Sequence, residues 1–384
     1  MTTKIAIVAD SHYDEHSRLS ECIRLHDWIE RDASGRGCAL LLHGGDLFER
    51  RSTPLERAVA ADWLSDVAKS MPVVMVRGNH DHLDEHDLWP RLRTRHPVST
   101  HERSGLDIIA GVAVGVMPWP RKANAEAAGV DALEAMRATL RGLGDMMAEH
   151  DGPRVLLTHA MVRGSQSSTG RELTGCELEV GLEDLALARA DLYALGHVHK
   201  HQFWDVAGAP AIYPGSVYRH DFGELEPKGY VVAEFDGRQL VGWEFVEVPA
   251  TPMVHVDDEW GLFGDDMGEL SGKMGWLAGA HGLPRSCEGA ELRFRYRVAS
   301  EFRDQARAAA QRWRDEWLAE GALSVKVEEQ VLATTRARSP EVARAVTLVD
   351  KLDALWSARR DVPDPVRRDA LVAKLGELES SAGT

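Results

Sequence analysis

Five short polar segments, each placed just past a short apolar run, follow one another through the first two hundred residues. They are Asp10-Ser11-His12, Gly45-Asp46, Gly78-Asn79-His80-Asp81, a solitary His159 and Gly196-His197-Val198-His199. The preceding runs Ile5–Ala9, Ala39–Leu42, Val73–Val76, Val155–Thr158 and Leu192–Leu195 are continuously apolar, the signature of strands covered on both faces. Any fold for this chain must accommodate five polar strand ends. Their donors are hard oxygens and imidazoles, and five in series describe a pocket for two divalent metal ions.

Further strands are expected at Ile108–Val116, Ala211–Tyr213, Tyr230–Phe235 and Val241–Val246, with helices near Glu15–Arg31, Pro54–Ser70, Val130–Glu149 and Leu182–Ala188. Ser52 or Thr53 caps the second helix, and Pro54 takes its first position. Residues 1–249 therefore read as an α/β sandwich whose loops carry the polar motifs. Beyond Pro249 the texture changes. Glu291–Val298 alternates strictly, Phe302, Ala306, Ala309, Trp313 and Trp317 follow helical spacing, and Ser324–Val331 reads as a half-exposed strand. This predicts a small α+β domain over 250–335. From 336 to 384 a third unit starts a helix at Ser339-Pro340-Glu341 and carries Val342, Val346, Val349, Leu352 and Trp356 on one stripe. A second helix from Asp364-Pro365 carries Leu371, Leu375 and Leu378. Two such helices are too small to bury their own apolar faces and call for a partner surface.

A chain of 384 residues can bury a full core, and its net charge of −16 gains nothing from long-range attraction to a phosphate backbone. DNA binding would need local basic patches or bound cations. Cys22, Cys38, Cys176 and Cys287 form no CxxC pair, which argues against a zinc ribbon and fits a reducing cytoplasm. The opening Lys4–Ala9 is too short for a signal peptide, and no stretch approaches the ~20 apolar residues of a membrane span.

Within the motifs, Asp10 and His12 are two apart past a strand, so extended backbone would turn both to one side; the same reasoning applies to His197 and His199. The carboxylate-imidazole mixture suits Mn²⁺, Fe²⁺ or Zn²⁺ better than Ca²⁺. Asp46 follows a glycine pair and is the candidate to bridge two ions; Asn79 offers a neutral oxygen. A lone Asp-x-His or Gly-Asp is ordinarily a turn, and a lone histidine ordinarily a core residue; it is the joint occurrence that points to metal. His26, His101, His150, His255 and His281 are read as surface residues, and His43, His82 and His201 as neighbours of the ligands.

The five segments resemble, in order, the motifs of the calcineurin-like metallophosphoesterases, a superfamily of four-layer α/β sandwiches. The resemblance implies one metal on Asp10, His12, Asp46 and His199, and a second on Asp46, Asn79, His159 and His197. It also implies that His80 is the general acid or leaving-group stabiliser, oriented by Asp81. Gly44–Phe48, Tyr213–Glu224 and Lys228-Gly229-Tyr230 look like the SbcD exonuclease family, whose layout is a phosphoesterase domain, a small capping domain and a C-terminal helix-loop-helix. That implies a DNA nuclease of repair and recombination, with manganese as the first choice of ion and magnesium, iron or zinc as alternatives. It also implies an SbcC-type coiled-coil ATPase partner on the C-terminal helices. Two departures stand out: His12-Tyr13-Asp14, and Glu49 where some relatives have histidine.

Arg50, Arg51, Arg77, Arg121, Lys122, Arg163, Arg171, Lys200 and Arg219 could offset the acidic charge near the pocket. Of these, Arg163, Arg171, Lys200 and Arg219 are the expected substrate contacts, with the loop Arg163–Arg171 foremost. The resemblance also suggests a homodimer through Pro54–Ser70 and Asp84–Arg95, with Leu64 and Leu88 in contact; packing of those residues on their own sheet is an equal alternative. A small-molecule phosphodiesterase or phosphatase is the rival function, and a non-catalytic scaffold the third.

Overall fold

Alternate residues of the central strands face different cores, and this fixes the layers. The computed structural model describes residues 2–120, 129–173, 178–258, 287–332, 340–359 and 364–382. One sheet has the order β14 (Gln239–Glu247), β13 (Gly229–Asp236), β1 (Thr2–Val8), β2 (Leu40–His43), β3 (Val73–Val76), β4 (Val98–His101). The second runs β11 (Gln202–Val206), β12 (Ala209–Tyr213), β10 (Leu192–Gly196), β7 (Arg154–His159), β6 (Val112–Met117), β5 (Gly105–Ile109). Ile5, Ile7, Leu40, Leu42, Val155, Leu157, Leu192 and Ala194 form the core shared by the two sheets. Ala6, Val8, Leu41 and Val73 face the other way, onto α1 (Leu19–Gly35) and α2 (Pro54–Ser70). Ala113, Leu156, Tyr193 and Leu195 face α3 (Ala132–Ala148). The result is a four-layer α/β sandwich, and burial on both faces explains the continuous apolar runs.

Within each sheet the central strands are parallel: β1–β2–β3–β4 in one, β6–β7–β10–β12 in the other. All five polar segments leave carboxyl ends of these strands, where open parallel sheets expose their loops. A two-stranded ribbon, β8 (Met161–Val162) with β9 (Glu179–Val180), and the short α4 (Leu182–Leu185) lie between β7 and β10 in the chain.

Several expectations need correction. Ile108–Val116 is a hairpin, β5 and β6, because Ala110 and Gly111 both take positive φ (52° and 76°) and turn the chain. The first helix starts at Leu19 rather than Glu15: Glu15 accepts a hydrogen bond from Thr53 Oγ1, and its amide donates to Glu56. Those contacts serve the start of α2, which Thr53 and Glu56 close with a capping box. Residues 84–95 supply only a 3₁₀ stretch, His86–Arg91, not a helix. Leu64 is buried in the core of its own sheet, whereas Leu88 is 44% exposed.

The chain divides into two compact units, one of Met1–His255, Ser286–Arg293 and Leu318–Val325, the other comprising the remainder. A three-stranded sheet has the order β15 (Met253–Asp258), β16 (Glu291–Ala299), β17 (Ser324–Leu332). β16 buries Leu292, Phe294, Tyr296 and Val298 in strict alternation. Phe294 meets Trp313 and Trp317 of α5 (Arg303–Ala319) edge-on, at 5.4 and 5.7 Å between centroids. The helix expected from Pro340 is broken into α6 (Pro340–Arg344) and α7 (Leu348–Arg359), because Thr347 Oγ1 accepts from the Asp350 amide and caps a new start. Helix α8 (Pro365–Ala382) is joined to α7 by the Arg368–Asp353 ion pair (2.6 Å). Val346, Val366 and Leu371 are exposed, and the side chain of Leu378 lies outside the described residues. Among the described residues no helix is long and apolar enough to cross a membrane.

Candidate metal centre

Convergence of the polar segments depends on strained backbone rather than on strand alternation. Asp10, His12, Asp46 and His197 all have positive φ, at 52°, 44°, 53° and 117°. For residues with a Cβ this costs of order 1 kcal/mol or more apiece. The expectation that Asp10 and His12, or His197 and His199, share a face of extended chain is therefore wrong in cause. Left-handed turns after β1, β2 and β10 aim these side chains inward. The turns are held by bonds between segments: the amides of Asp10 and His12 donate to the carbonyls of Gly45 and Asp46 (both 3.0 Å).

The structure brings Asp10, His12, Asp46, Asn79, His159, His197 and His199 together. Donor atoms of Asp10, His12 and Asp46 lie within 4.8 Å of one another, as do those of Asp46, His159 and His197, so Asp46 belongs to both groups. Its Oδ1 accepts from the His80 amide (2.9 Å), while Oδ2 stands 3.4 Å from His159 Nε2 and 3.8 Å from His12 Nε2. Asp10 is oriented by the amide of His197 (2.9 Å), and Asn79 Oδ1 lies 2.8 Å from His159 Nε2 and 3.0 Å from His197 Nδ1. Gly78 permits the approach of its loop, since a Cβ there would fall 2.0 Å from Asp46 Oδ1.

Oxygen acceptors behind the rings set which nitrogen faces the pocket. His159 Nδ1 donates to the Gly44 carbonyl (2.7 Å), and His12 Nδ1 faces Glu49 Oε2 (2.7 Å). In both rings it is Nε2 that is turned toward the pocket, the arrangement by which outer groups orient metal-binding histidines. His199 Nδ1 sits 3.6 Å from Glu224 Oε1, and its Nε2 is 3.1 Å from His12 Nε2. Glu224 is in turn fixed by buried Lys228 (2.7 Å), whose ammonium also donates to the His199 carbonyl (3.1 Å). Burial alone would lower the His159 pKa, yet neighbouring Asp46 raises it to about 9. Burial drives His197 down to about 3. The donor set fits a pair of borderline divalent cations: buried carboxylates, one neutral oxygen, and imidazoles facing one another at distances an ion would fill.

Beneath the ligands lies a relay that the sequence did not disclose. His43 Nδ1 accepts from the Gly45 amide (3.2 Å), so its Nε2–H donates to Ser11 Oγ (2.8 Å). Ser11 donates onward to His26 Nε2 (2.7 Å), whose Nδ1–H is given to the Cys22 carbonyl (2.8 Å). His26 is thus a buried core residue, not a surface one. His82 is exposed, and His201 stacks on Phe245 (4.3 Å), away from the donors named above. Trp119, unforeseen, lies over His197 with ring centroids 4.7 Å apart.

Asp81 does not orient His80. Its carboxylate accepts from the amides of Asp46, Leu47, Phe48 and Gly78 (2.9–3.2 Å), locking two ligand loops together, with His86 Nε2 3.3 Å away. His80 instead donates from Nδ1 to the Glu49 carbonyl (2.7 Å), and the ring is 38% exposed. The Arg219 guanidinium is turned to its own chain, donating to the carbonyls of Glu224, Glu226 and Thr251 and bracing their loops. Arg163 is half-exposed and faces Glu183 (3.2 Å); Arg171 is exposed and Lys200 half-buried. Arg121, Lys122 and His281 lie outside the described residues.

A family profile for calcineurin-like phosphoesterases matches residues 3–201, the stretch that contains Asp10, His12, Asp46, Asn79, His159, His197 and His199. The chain belongs to this family. As a calcineurin-like phosphoesterase it is a metal-dependent hydrolase of phosphoesters, and its His/Asp clusters are sites that could hold divalent ions. The DNA double-strand break repair protein Mre11 of Methanopyrus kandleri is 25% identical over 269 residues, or 64% of this chain. The match spans only 57% of that relative's length. Among solved structures, the GAP50 anchor of the Plasmodium inner membrane complex shares 14% identity (64% of this chain, 89% of that one, TM-score 0.41). A purple acid phosphatase from yellow lupin seeds also shares 14% (62% and 50%, TM-score 0.37).

Proposed function

We propose that this phosphoesterase is a two-metal DNA nuclease. One cation would sit on Asp10, His12, Asp46 and His199, and a second on Asp46, Asn79, His159 and His197, with manganese the first choice. The observation that carries the reading is the position of Asp46, whose carboxylate belongs to two donor groups at once. When bound, such a pair neutralises phosphate charge and supplies hydroxide from water near neutral pH. The chain's own residues do the rest. Asp10 and Asp46, fixed by the amides of His197 and His80, hold their carboxylates in place without reorganisation. His80, with Nδ1–H given to Glu49, keeps Nε2 as the nitrogen that exchanges a proton with the leaving oxygen. Asp81 keeps the Asp46 and Asn79 loops in register.

DNA is favoured as substrate by the similarity to the Methanopyrus kandleri repair protein and by the C-terminal helices. Exposed Val346, Val366 and Leu371 suit an SbcC-type ATPase docking on residues 336–384, beyond a capping domain at 250–335. Arg163, Arg171 and Lys200 are the proposed backbone contacts. The net charge of −16 favours the rival, a small-molecule phosphodiesterase. Incubation with Mn²⁺, labelled duplex DNA and a generic phosphodiester decides between them. Degradation of DNA that falls ~10²–10⁴-fold in His80→Asn is the expected result. Cleavage of the small ester alone would establish the rival, and inertness to both with metal bound would leave a scaffold.

A further inference from the structure

Beside the proposed first cation lies a histidine that none of the five motif segments contains. Donor nitrogens of His12, His199 and His220 lie within 4.8 Å of one another. The His220 ring centroid is 4.9 Å from that of His12 and 4.6 Å from that of His199. Its Nε2 is buried and has no hydrogen-bond partner. Native proteins rarely leave a buried imidazole nitrogen in that condition unless something outside the chain completes it.

The surroundings hold this ring in place from several sides. Tyr218 stacks on it (4.3 Å between centroids, 22° between planes), and the Tyr218 hydroxyl donates to the His12 carbonyl (2.7 Å). The His220 amide donates to Glu224 Oε2 (3.1 Å), the carboxylate whose other oxygen faces His199. Arg219, one residue earlier, ties the same loop to three carbonyls. One set of side chains therefore fixes His12, His199 and His220 as a unit, although His220 follows the last motif by more than twenty residues.

We propose that His220 is a further ligand of the cation held by Asp10, His12, Asp46 and His199. This rests on the two-metal reading above. With His220 the ion has five protein donors, so one water completes six-coordination. That shell suits Mn²⁺ or Fe²⁺, whereas Zn²⁺ is satisfied by four. The residue thereby biases the choice of ion as well as its affinity.

Mn²⁺ titration of the full chain, followed by calorimetry and by pulsed electron resonance that counts coupled nitrogens, tests this with no assay of catalysis. The wild type should take up two Mn²⁺. In His220→Val one of the two should weaken by at least ~10-fold and lose one nitrogen coupling, with Zn²⁺ affinity falling less. His220→Gln, which keeps the size and polarity of the site, should show the same loss, and thermal melting establishes that both variants are folded. Two ions bound within about twofold of wild type, with unchanged couplings, would overturn the assignment. So would unchanged Mn²⁺ affinity with weakened binding of inorganic phosphate, which would make His220 a substrate contact. Fewer than two ions in the wild type would overturn the two-metal reading itself, a separate outcome.

Discussion

At the ends of β1, β2 and β10 the backbone is left-handed at residues with side chains, the donors are buried, and every loop is bonded to another. Helices α7 and α8 show the reverse: regular backbone, local caps, one ion pair between them among the described residues, and apolar side chains such as Val366 left 80% exposed. The contrast teaches where each region gets its shape. The ligand loops hold theirs only because the surrounding sandwich over-determines them. The helices hold theirs by local propensity and caps, with apolar side chains left exposed.

The sharpest way to break the contrast is to remove the residue common to both donor groups. Asp46→Ala should lower metal content from two ions to fewer than one per chain and the phosphoester rate by ~10³, measured by elemental analysis and turnover. Glycine substitutions come next. A Cβ on Gly196 would lie 2.1 Å from the Gly44 carbonyl oxygen, so Gly196→Ala should cost ~3 kcal/mol or more. Gly142, in α3, has nothing within 4 Å of the place a methyl would take, and should gain ~0.5–1 kcal/mol as alanine. Equal effects in denaturant melts would show that the strand ends are no more constrained than a helix.

Acid tests the relay below the ligands. Burial drives His26 from its ordinary 6.5 to about 4 and His43 to about 3. Below pH 6.5 the unfolded chain therefore takes up protons that the folded chain refuses. Stability should fall by ~1.4 kcal/mol per pH unit for each ring as pH drops toward 4, and be unaffected by them above 6.5. Urea melts of wild type and His26→Gln at about pH 7.5 and about pH 5 should differ in slope by one ring's share. The smallest effect is expected at the other end of the comparison: Val346→Ser and Val366→Ser should shift stability by no more than ~0.5 kcal/mol.

Much of the sandwich was legible because its strands are buried on both faces and read as unbroken apolar runs; Val73–Val76 is the clearest case. The alternation of β16 was equally readable. Polar β4 and edge strand β11 were missed because neither shows such a run, and the β5–β6 turn was hidden by apolar Ile109, Ala110 and Val112 around a single glycine. The ligand candidates were visible as residue types. Their convergence was not, since no periodicity announces a left-handed aspartate. Nor could sequence separate the tasks of His80 and Asp81: the family resemblance implied a pair, but the carboxylate is committed to four amides. His26 and Trp119 carry no motif, and His220 and Lys228 lie in the segments Tyr213–Glu224 and Lys228-Gly229-Tyr230, whose resemblance gave neither residue a role. Only the apolar setting of His26 among Cys22, Leu25 and Ile29 offered a hint.

The cage also sets a timetable. Asp10, Asp46 and Asn79 hang from one sheet, His159, His197 and His199 from the other, and Lys228 props the last of them. A ribosome delivers these parts in that sequence, so an emerging chain has Asp10, His12 and Asp46 long before it has the second sheet's His159, His197 and His199. On the two-metal reading, capture of the ions would wait until residue 228 is out and the sheets have closed. The cation that ends up inside is then the one on offer where folding finishes.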